Sequence, residues 1–199
     1  MNFFKKLFKT KSEPLQYFII TLNDKIQPID RGEYYEDPLD KYLQQNQIGE
    51  IVGGGTQQAN NGEIQFVDIE IQLNSNIEIE SAQLKIIEFL ESKGAPKNSS
   101  LRIEGTDNKT VFGKYEGIGI YLDGVNLDAD TYQNCDSNFV VSEIKRLIGD
   151  NTDLVRFWEF PEKTGLYFYG NSFIQMEKEI ENFMKEYPLC KNAEIKQIA

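Results

Sequence analysis

IESAQLKIIEFLESKGAPKNSSL (79–101) and FIQMEKEIENFMKEYPLCKNAEI (173–195) decide the fold, because the second repeats the pattern of the first 94 residues later. The shift sets Ile79 on Phe173, Ala82 on Met176, Ile86 on Ile180, Phe89 on Phe183 and Leu90 on Met184. These positions recur at three- and four-residue spacing, so each copy carries one apolar stripe, the mark of a helix lying on a core. The same shift superposes Lys97-Asn98 on Lys191-Asn192 and Leu101 on Ile195. Face, loop length and polar pair agree together, and duplication is the simplest account.

Working outward, the two halves show the same order of elements. In the first, residues 15–22 (LQYFIITL) read as a buried strand. A helix is expected to start at Asp37-Pro38, with Asp37 as its cap and Pro38 in its first turn. Residues 48–52 and 64–73 form a hairpin with a flexible glycine-rich arm (Gly53-Gly54-Gly55), and Val67, Ile69 and Ile71 alternate with Asp68, Glu70 and Gln72. A helix over 80–92 closes at Gly94, and a short strand follows at 100–103. In the second half a strand carries Ile118, Ile120 and Leu122, and a helix over 139–148 is capped by Asp136, Ser137 or Asn138. A hairpin then pairs 154–160 with 165–169, a helix over 173–187 is capped by Asn171 or Ser172, and 194–198 is the last strand. The chain is thus α+β, with tandem duplicated ferredoxin-like (βαββαβ) units whose antiparallel sheets carry helices on one face. The expected divisions are a leader at 1–14, a first unit at 15–105 and a second at 106–199. The pattern leaves open whether the sheets lie side by side or face one another.

Composition narrows function. The 199 residues hold 32 acidic and 21 basic side chains and no histidine, for a net charge of −11. Without histidine there is no Ser-His or Cys-His nucleophile, no imidazole base and no histidine-ligated zinc. The acidic excess argues against nucleic acid, whose phosphates are held by Lys and Arg. Four lysines sit in the leader, where Phe3, Phe4, Leu7 and Phe8 share a helical face, so residues 1–12 are expected to give at most a weak membrane contact. From Glu13 onward the net charge is −15, spread over both halves. Cys135 and Cys190 spell no disulfide framework or metal motif, and free thiols in a cytoplasmic protein are expected.

The densest acidic stretch is Asp30–Asp40, where Glu33, Tyr34, Tyr35, Glu36, Asp37 and Asp40 form a candidate contact for a basic partner, the tyrosines as anchors and the acids as steering charges. Carboxylates also suit a helix N-terminus, which accounts for Asp37 and Asp40 but not for the tyrosines. Asp68 and Glu70 fall on one strand face, and Trp158, Tyr167 and Tyr169 fall on the face of the second hairpin opposite Phe157 and Phe168, together a candidate sheet-face site. That aromatic set suits a protein interface or the contact between repeats better than base stacking, since Arg156 and Lys163 are offset by Glu159 and Glu162. Gly53-Gly54-Gly55-Thr56 lacks the Gly-Lys ending of a phosphate loop and precedes no helix, so a flexible hairpin arm or a place where another backbone approaches closely is expected there. Asp128-Ala129-Asp130 opens like a calcium loop but fails at Gln133 and Phe139. No cofactor or metal is therefore expected.

The segments GEYYEDPLD, IGEIVGGGT, FGKYEGIGIYLDG and YPLCKNAEIKQIA resemble the set pieces of a family of uncharacterised acidic bacterial proteins. In general character the chain resembles immunity proteins, small acidic α+β chains that neutralise a toxin. That resemblance implies a protein partner, a basic toxin or enzyme that the chain inhibits, and no catalytic residues. Two alternatives remain at this point. One is a carboxylate enzyme using Asp68 and Glu70, with Tyr121 or Tyr167 as proton donor and Lys114 or Arg156 as anion clamp. The other is a membrane-peripheral or oligomeric scaffold resting on the leader.

Overall fold

The computed structural model describes residues 15–199, and the leader together with its expected membrane contact lies outside them. Two antiparallel sheets are built in chain order. The first uses β1 (Tyr17–Leu22), β2 (Gly49–Gln58), β3 (Ile64–Leu73), β4 (Ser99–Ile103) and β5 (Lys109–Phe112), in the spatial order β2-β3-β1-β4-β5. The second uses β6 (Glu116–Asp123), β7 (Arg156–Glu159), β8 (Lys163–Gly170) and β9 (Glu194–Gln197), in the order β7-β8-β6-β9. With β5 set aside the two orders are the same, and each is that of a ferredoxin-like unit. The tandem α+β fold read from the sequence is the fold of the chain. The boundary shifts, however: β5 pairs with β4, so the first sheet extends past residue 105.

Each sheet is covered on one face by two helices. Phe18, Ile20 and Leu22 of β1 and Val67, Ile69 and Ile71 of β3 meet Leu39 and Leu43 of α2 (Asp37–Gln45) and Ala82, Ile86 and Leu90 of α3 (Ile79–Ser92), all buried. In the second unit Ile118, Ile120, Leu166 and Phe168 meet Val140 and Ile144 of α5 (Ser137–Ile148) and Met176 and Ile180 of α6 (Phe173–Glu186). α3 and α6 have the same length and stand 94 residues apart, as the repeat requires. The repeated Lys-Asn pair has a backbone cause: Asn98 and Asn192 both adopt the left-handed conformation, at φ 66° and 65°, in the turn that returns the chain to the last strand.

One local expectation is corrected and two other segments are sharpened. The first helix does not start at Asp37. It starts at α1 (Pro28–Arg31), passes through a π-helical turn at Gly32–Glu36 and runs on into α2, with Arg31, Glu36 and Asp37 all in right-handed helical conformation. The Asp37 N–H donates to Gly32 O, one residue further back than in an α-helix, and this widened turn admits Pro38 within the helix. Of the two readings of the glycine arm, close approach of another backbone holds, because β2 pairs with β3 along Gly53–Gln58 after a register shift. Gly54 is needed there: a Cβ would stand 2.9 Å from Glu36 Oε1 and 3.2 Å from Arg31 Nη2. The segment that fails as a calcium loop is α4 (Ala129–Asn134), whose N-cap Asp128 accepts from the Thr131 N–H.

The two sheets lie neither edge to edge nor face to face. The loop after β1 and the tip of the β2–β3 hairpin, both at one end of the first unit, rest on the helix-free face of the second sheet. No helix of the described residues is long and apolar enough to cross a membrane.

Candidate binding surface at the seam between the units

The seam is held by two carboxylates from the first unit. Asp24, fully buried just after β1, takes Nε and Nη2 of Arg156 on β7 at 2.6 and 2.8 Å and the Tyr35 hydroxyl at 2.8 Å. Burial of the guanidinium opposes its charge, but Asp24 outweighs it, and the Arg156 pKa lies above its ordinary value. The rings of Tyr34 and Tyr169 flank the same guanidinium, their centroids 5.5 and 4.9 Å from Cζ. The Lys25 N–H donates to the Tyr169 hydroxyl at 3.0 Å.

Glu63, at the hairpin tip, is the second carboxylate. Its Oε1 accepts the Tyr167 hydroxyl at 2.8 Å and the Tyr121 hydroxyl at 3.0 Å, and pairs with Lys25 Nζ at 2.9 Å. Burial alone would raise its pKa; the bonds from Lys25, Tyr167 and Tyr121 together leave it lowered. Burial and the Glu63 charge push both phenols above the usual tyrosine range. Beside them Trp158 rests on Gly62, whose φ of +85° and missing side chain leave room for the indole. The candidate sheet-face aromatics Trp158, Tyr167 and Tyr169 therefore do share the face away from the helices, and they serve the contact between the repeats.

On the outer side of the seam the units leave two adjoining clefts. One, of about 300 Å³, is lined by Asp30, Glu33 and Tyr34 of the first unit and Thr152, Asp153 and Leu154 of the second. The other, of about 470 Å³, shares Tyr34 and Thr152 and has Arg156 in its wall. Exposed apolar side chains stand next in sequence to two of the cleft residues. Ile29, 81% exposed, precedes Asp30, and Val155 follows Leu154. Gln27 Nε2 donates to the Phe157 carbonyl at 2.9 Å, a further tie between the units.

Of the acidic segment, only part is available to a partner. Tyr35 is corrected as an anchor: the earlier start of the helix turns it inward, where it is buried on Asp24. Tyr34 is half-buried, with its hydroxyl donated to Lys93 O at 2.8 Å. Glu36 holds Arg31 at 2.5 Å, and Arg31 in turn caps the Gly55 carbonyl. Asp40 accepts the Ile51 N–H at 2.9 Å. These three side chains close the outer edge of β2, a strand edge that would otherwise invite pairing. Glu33 and Asp37 remain exposed.

The enzyme set is not brought together. Asp68 and Glu70 are half-buried on the helix-free face of the first sheet, with Asp68 Oδ1 accepting the Thr21 hydroxyl at 2.7 Å. Tyr121, Tyr167 and Arg156 stand in the seam, and Lys114 pairs with Glu91. Among the described residues no three histidine, cysteine or carboxylate side chains form a group that could hold a metal ion. Sequence reading missed Asp24, Lys25 and Glu63 as seam residues, and also Asp153. Its only local signal was that Asp24-Lys25 follows a buried strand, where a charged pair is expected in any case.

No family model matches the chain, and no curated protein matches it. Among solved structures it is similar to an unknown protein from Galdieria sulphuraria, at 10% identity and a TM-score of 0.28 over 92% of this chain and 98% of that one. It is also similar to the first two RRM domains of a yeast poly(U)-binding protein, at 11% identity and a TM-score of 0.23 over 92% of this chain and 99% of that one. At such scores neither likeness bears on function, and the fold rests on the strand order itself.

Proposed function

We propose that the protein is an acidic binding module that captures a basic protein partner at the seam, in the manner of an immunity or inhibitor protein that blocks a toxin or enzyme. One observation carries this reading. Folding sets Asp153 beside Asp30 and Glu33, more than a hundred residues away in sequence, around an open cleft whose wall also holds Tyr34 and Leu154. Apolar side chains rimmed by charges of one sign are the anatomy of a steered protein interface. Base stacking has no comparable support, because Tyr121, Tyr167 and Tyr169 are each at most 8% exposed beneath the first unit. The free thiols Cys135 and Cys190 fit a cytoplasmic place of action.

The test is capture of a stoichiometric partner from the native source at low salt, followed by binding measurements with that purified partner. Association should slow as salt rises, and the triple reversal Asp30→Lys, Glu33→Lys, Asp153→Lys should weaken affinity at least about a hundredfold, as loss of several interfacial charge contacts does. Glu36 and Asp40 are left intact because they hold β2. Failure to recover a partner, or a partner indifferent to the reversal, overturns the proposal.

A further inference from the structure

The tip of the β2–β3 hairpin holds the only Asn-Gly pair of the sequence, Asn61-Gly62, at a place where the first unit meets the second. An asparagine before glycine is open to attack on its own side chain, because no Cβ on the next residue hinders that residue's backbone nitrogen from reaching Cγ. Asn61 is exposed, so water has access to it. In the closed seam, however, both reacting groups are occupied. The Gly62 N–H, whose nitrogen would be the nucleophile, donates to Ala59 O at 2.9 Å. The Asn61 amide is turned forward, its Oδ1 accepting the Glu63 N–H at 3.1 Å. The Ala59 N–H donates to Glu63 O at 2.9 Å, and beyond this rung the Glu63 carboxylate takes the hydroxyls of Tyr121 and Tyr167. Trp158 of the second unit closes over Gly62, where a Cβ would stand 2.8 Å from the indole. The turn is thus pinned by both units.

We infer that Asn61 is a site of self-modification by deamidation, held unreactive while the seam is closed, and that its product loosens the seam. Gly62 N bonds to Asn61 Cγ, the Cγ–Nδ2 bond breaks, and Nδ2 departs with the Gly62 amide proton as ammonia, leaving a five-membered imide. Water then opens the imide at either carbonyl. Opening at Cγ leaves an aspartyl residue at position 61. Opening at the main-chain carbonyl leaves an isoaspartyl residue, whose backbone runs through Cβ and Cγ and is one atom longer. Ring closure requires release of the bonds at Gly62 and Asn61, and the indole over Gly62 stands against that local opening. A turn one atom longer does not fit the spacing of the Ala59–Glu63 and Gly62–Ala59 bonds, so the isoaspartyl form draws Glu63 off Tyr121 and Tyr167.

The test follows the proteolytic peptide that spans the turn by mass spectrometry, after incubation of the full chain in mildly alkaline heavy-oxygen water. Parent, Trp158→Ala and Tyr167→Phe are compared, each also in urea, where the turn is released. The folded parent should deamidate at Asn61 at least about tenfold more slowly than in urea, as expected when two hydrogen bonds must first be broken. Folded Trp158→Ala should react at least about fivefold faster than the folded parent, for the loss of one aromatic contact. Tyr167→Phe removes only a hydroxyl from the seam and should move the rate the same way by a smaller factor, which keeps the test open if Trp158→Ala does not fold. Each product gains one heavy oxygen. The Lys25 N–H, which donates to the Tyr169 hydroxyl across the seam, should exchange with solvent faster in the separated isoaspartyl chain than in the parent. Equal rates for the parent folded and in urea overturn the inference. So do folded variants that react no faster than the parent, or an isoaspartyl chain whose Lys25 amide stays as protected.

Discussion

The helix-free faces of the two sheets have the same topology and opposite fates. In the second unit that face carries Trp158, Tyr121, Tyr167 and Tyr169, and it is covered by the end of the first unit. In the first unit the same face carries Tyr17, Ile19, Thr21, Asp68, Glu70 and Gln72, all half-buried and paired mainly with one another across β1 and β3. One copy of a duplicated fold has become the lid of the other. The side chains of that face match its fate: large aromatics with a polar tip bury well and still pair their hydroxyls, whereas Thr, Asp, Glu and Gln favour water.

The comparison is broken most directly at Arg156. Arg156→Met leaves the Asp24 carboxylate buried with only the Tyr35 hydroxyl, and such a change should cost about 3–5 kcal/mol in chemical denaturation. The pair Asp24→Leu, Arg156→Met should recover much of that loss, because two apolar side chains leave no unpaired charge. A single variant that loses less than about 1 kcal/mol would show that the seam is not closed through this pair.

Glu63 sharpens the same point at smaller scale. Glu63→Gln keeps the shape but gives up the charge that pairs with Lys25 and accepts two phenols, for an expected loss of about 1–3 kcal/mol. The sign of its pH dependence follows from its lowered pKa. A carboxylate with a folded pKa below the unfolded value of about 4.3 contributes its full stability above that value and loses it as pH falls through the folded one. Denaturation measured against pH should therefore show an acid limb that is shallower in Glu63→Gln than in the parent chain.

How far the sequence reached follows from this asymmetry. Periodicity resolves what a residue does within its own element, so the 94-residue repeat, both cores and the sidedness of Trp158, Tyr167 and Tyr169 were legible. What covers that face was not, because Asp24 and Arg156 are 132 residues apart and neither belongs to a pattern. The acidic segment was misread for a local reason. Residues of the same type close an α-turn or a π-turn, so nothing in GEYYEDPLD signals the widened turn that places Tyr35 inside. Of the candidate contact, Glu33 lines the seam cleft and Asp37 is exposed near it in the chain, while Glu36 and Asp40 are taken up by the β2 edge.

The repeated asparagines measure how alike the two units remain away from the seam. Asn98 and Asn192 hold nearly the same left-handed backbone, and alanine tolerates that region less well. Asn98→Ala and Asn192→Ala should each cost about 1 kcal/mol, and by similar amounts. A large inequality would mean that the seam strains one unit more than the other.

The smallest effect is expected on the open face of the first sheet. The Thr21 hydroxyl and Asp68 are 2.7 Å apart on neighbouring strands, half-buried, with no seam group contacting either through a hydrogen bond. Water can replace either partner there, so Thr21→Val and Asp68→Asn should each change stability by less than about 1 kcal/mol, and the double variant by about the sum less their shared bond. Glu63→Gln alters a carboxylate just before the same strand, yet it should cost more because two of its partners, Tyr121 and Tyr167, come from the other unit. If Asp68→Asn matched Glu63→Gln in denaturation, the first sheet's open face would be as enclosed as the second's, and the distinction between lid and covered unit would fall.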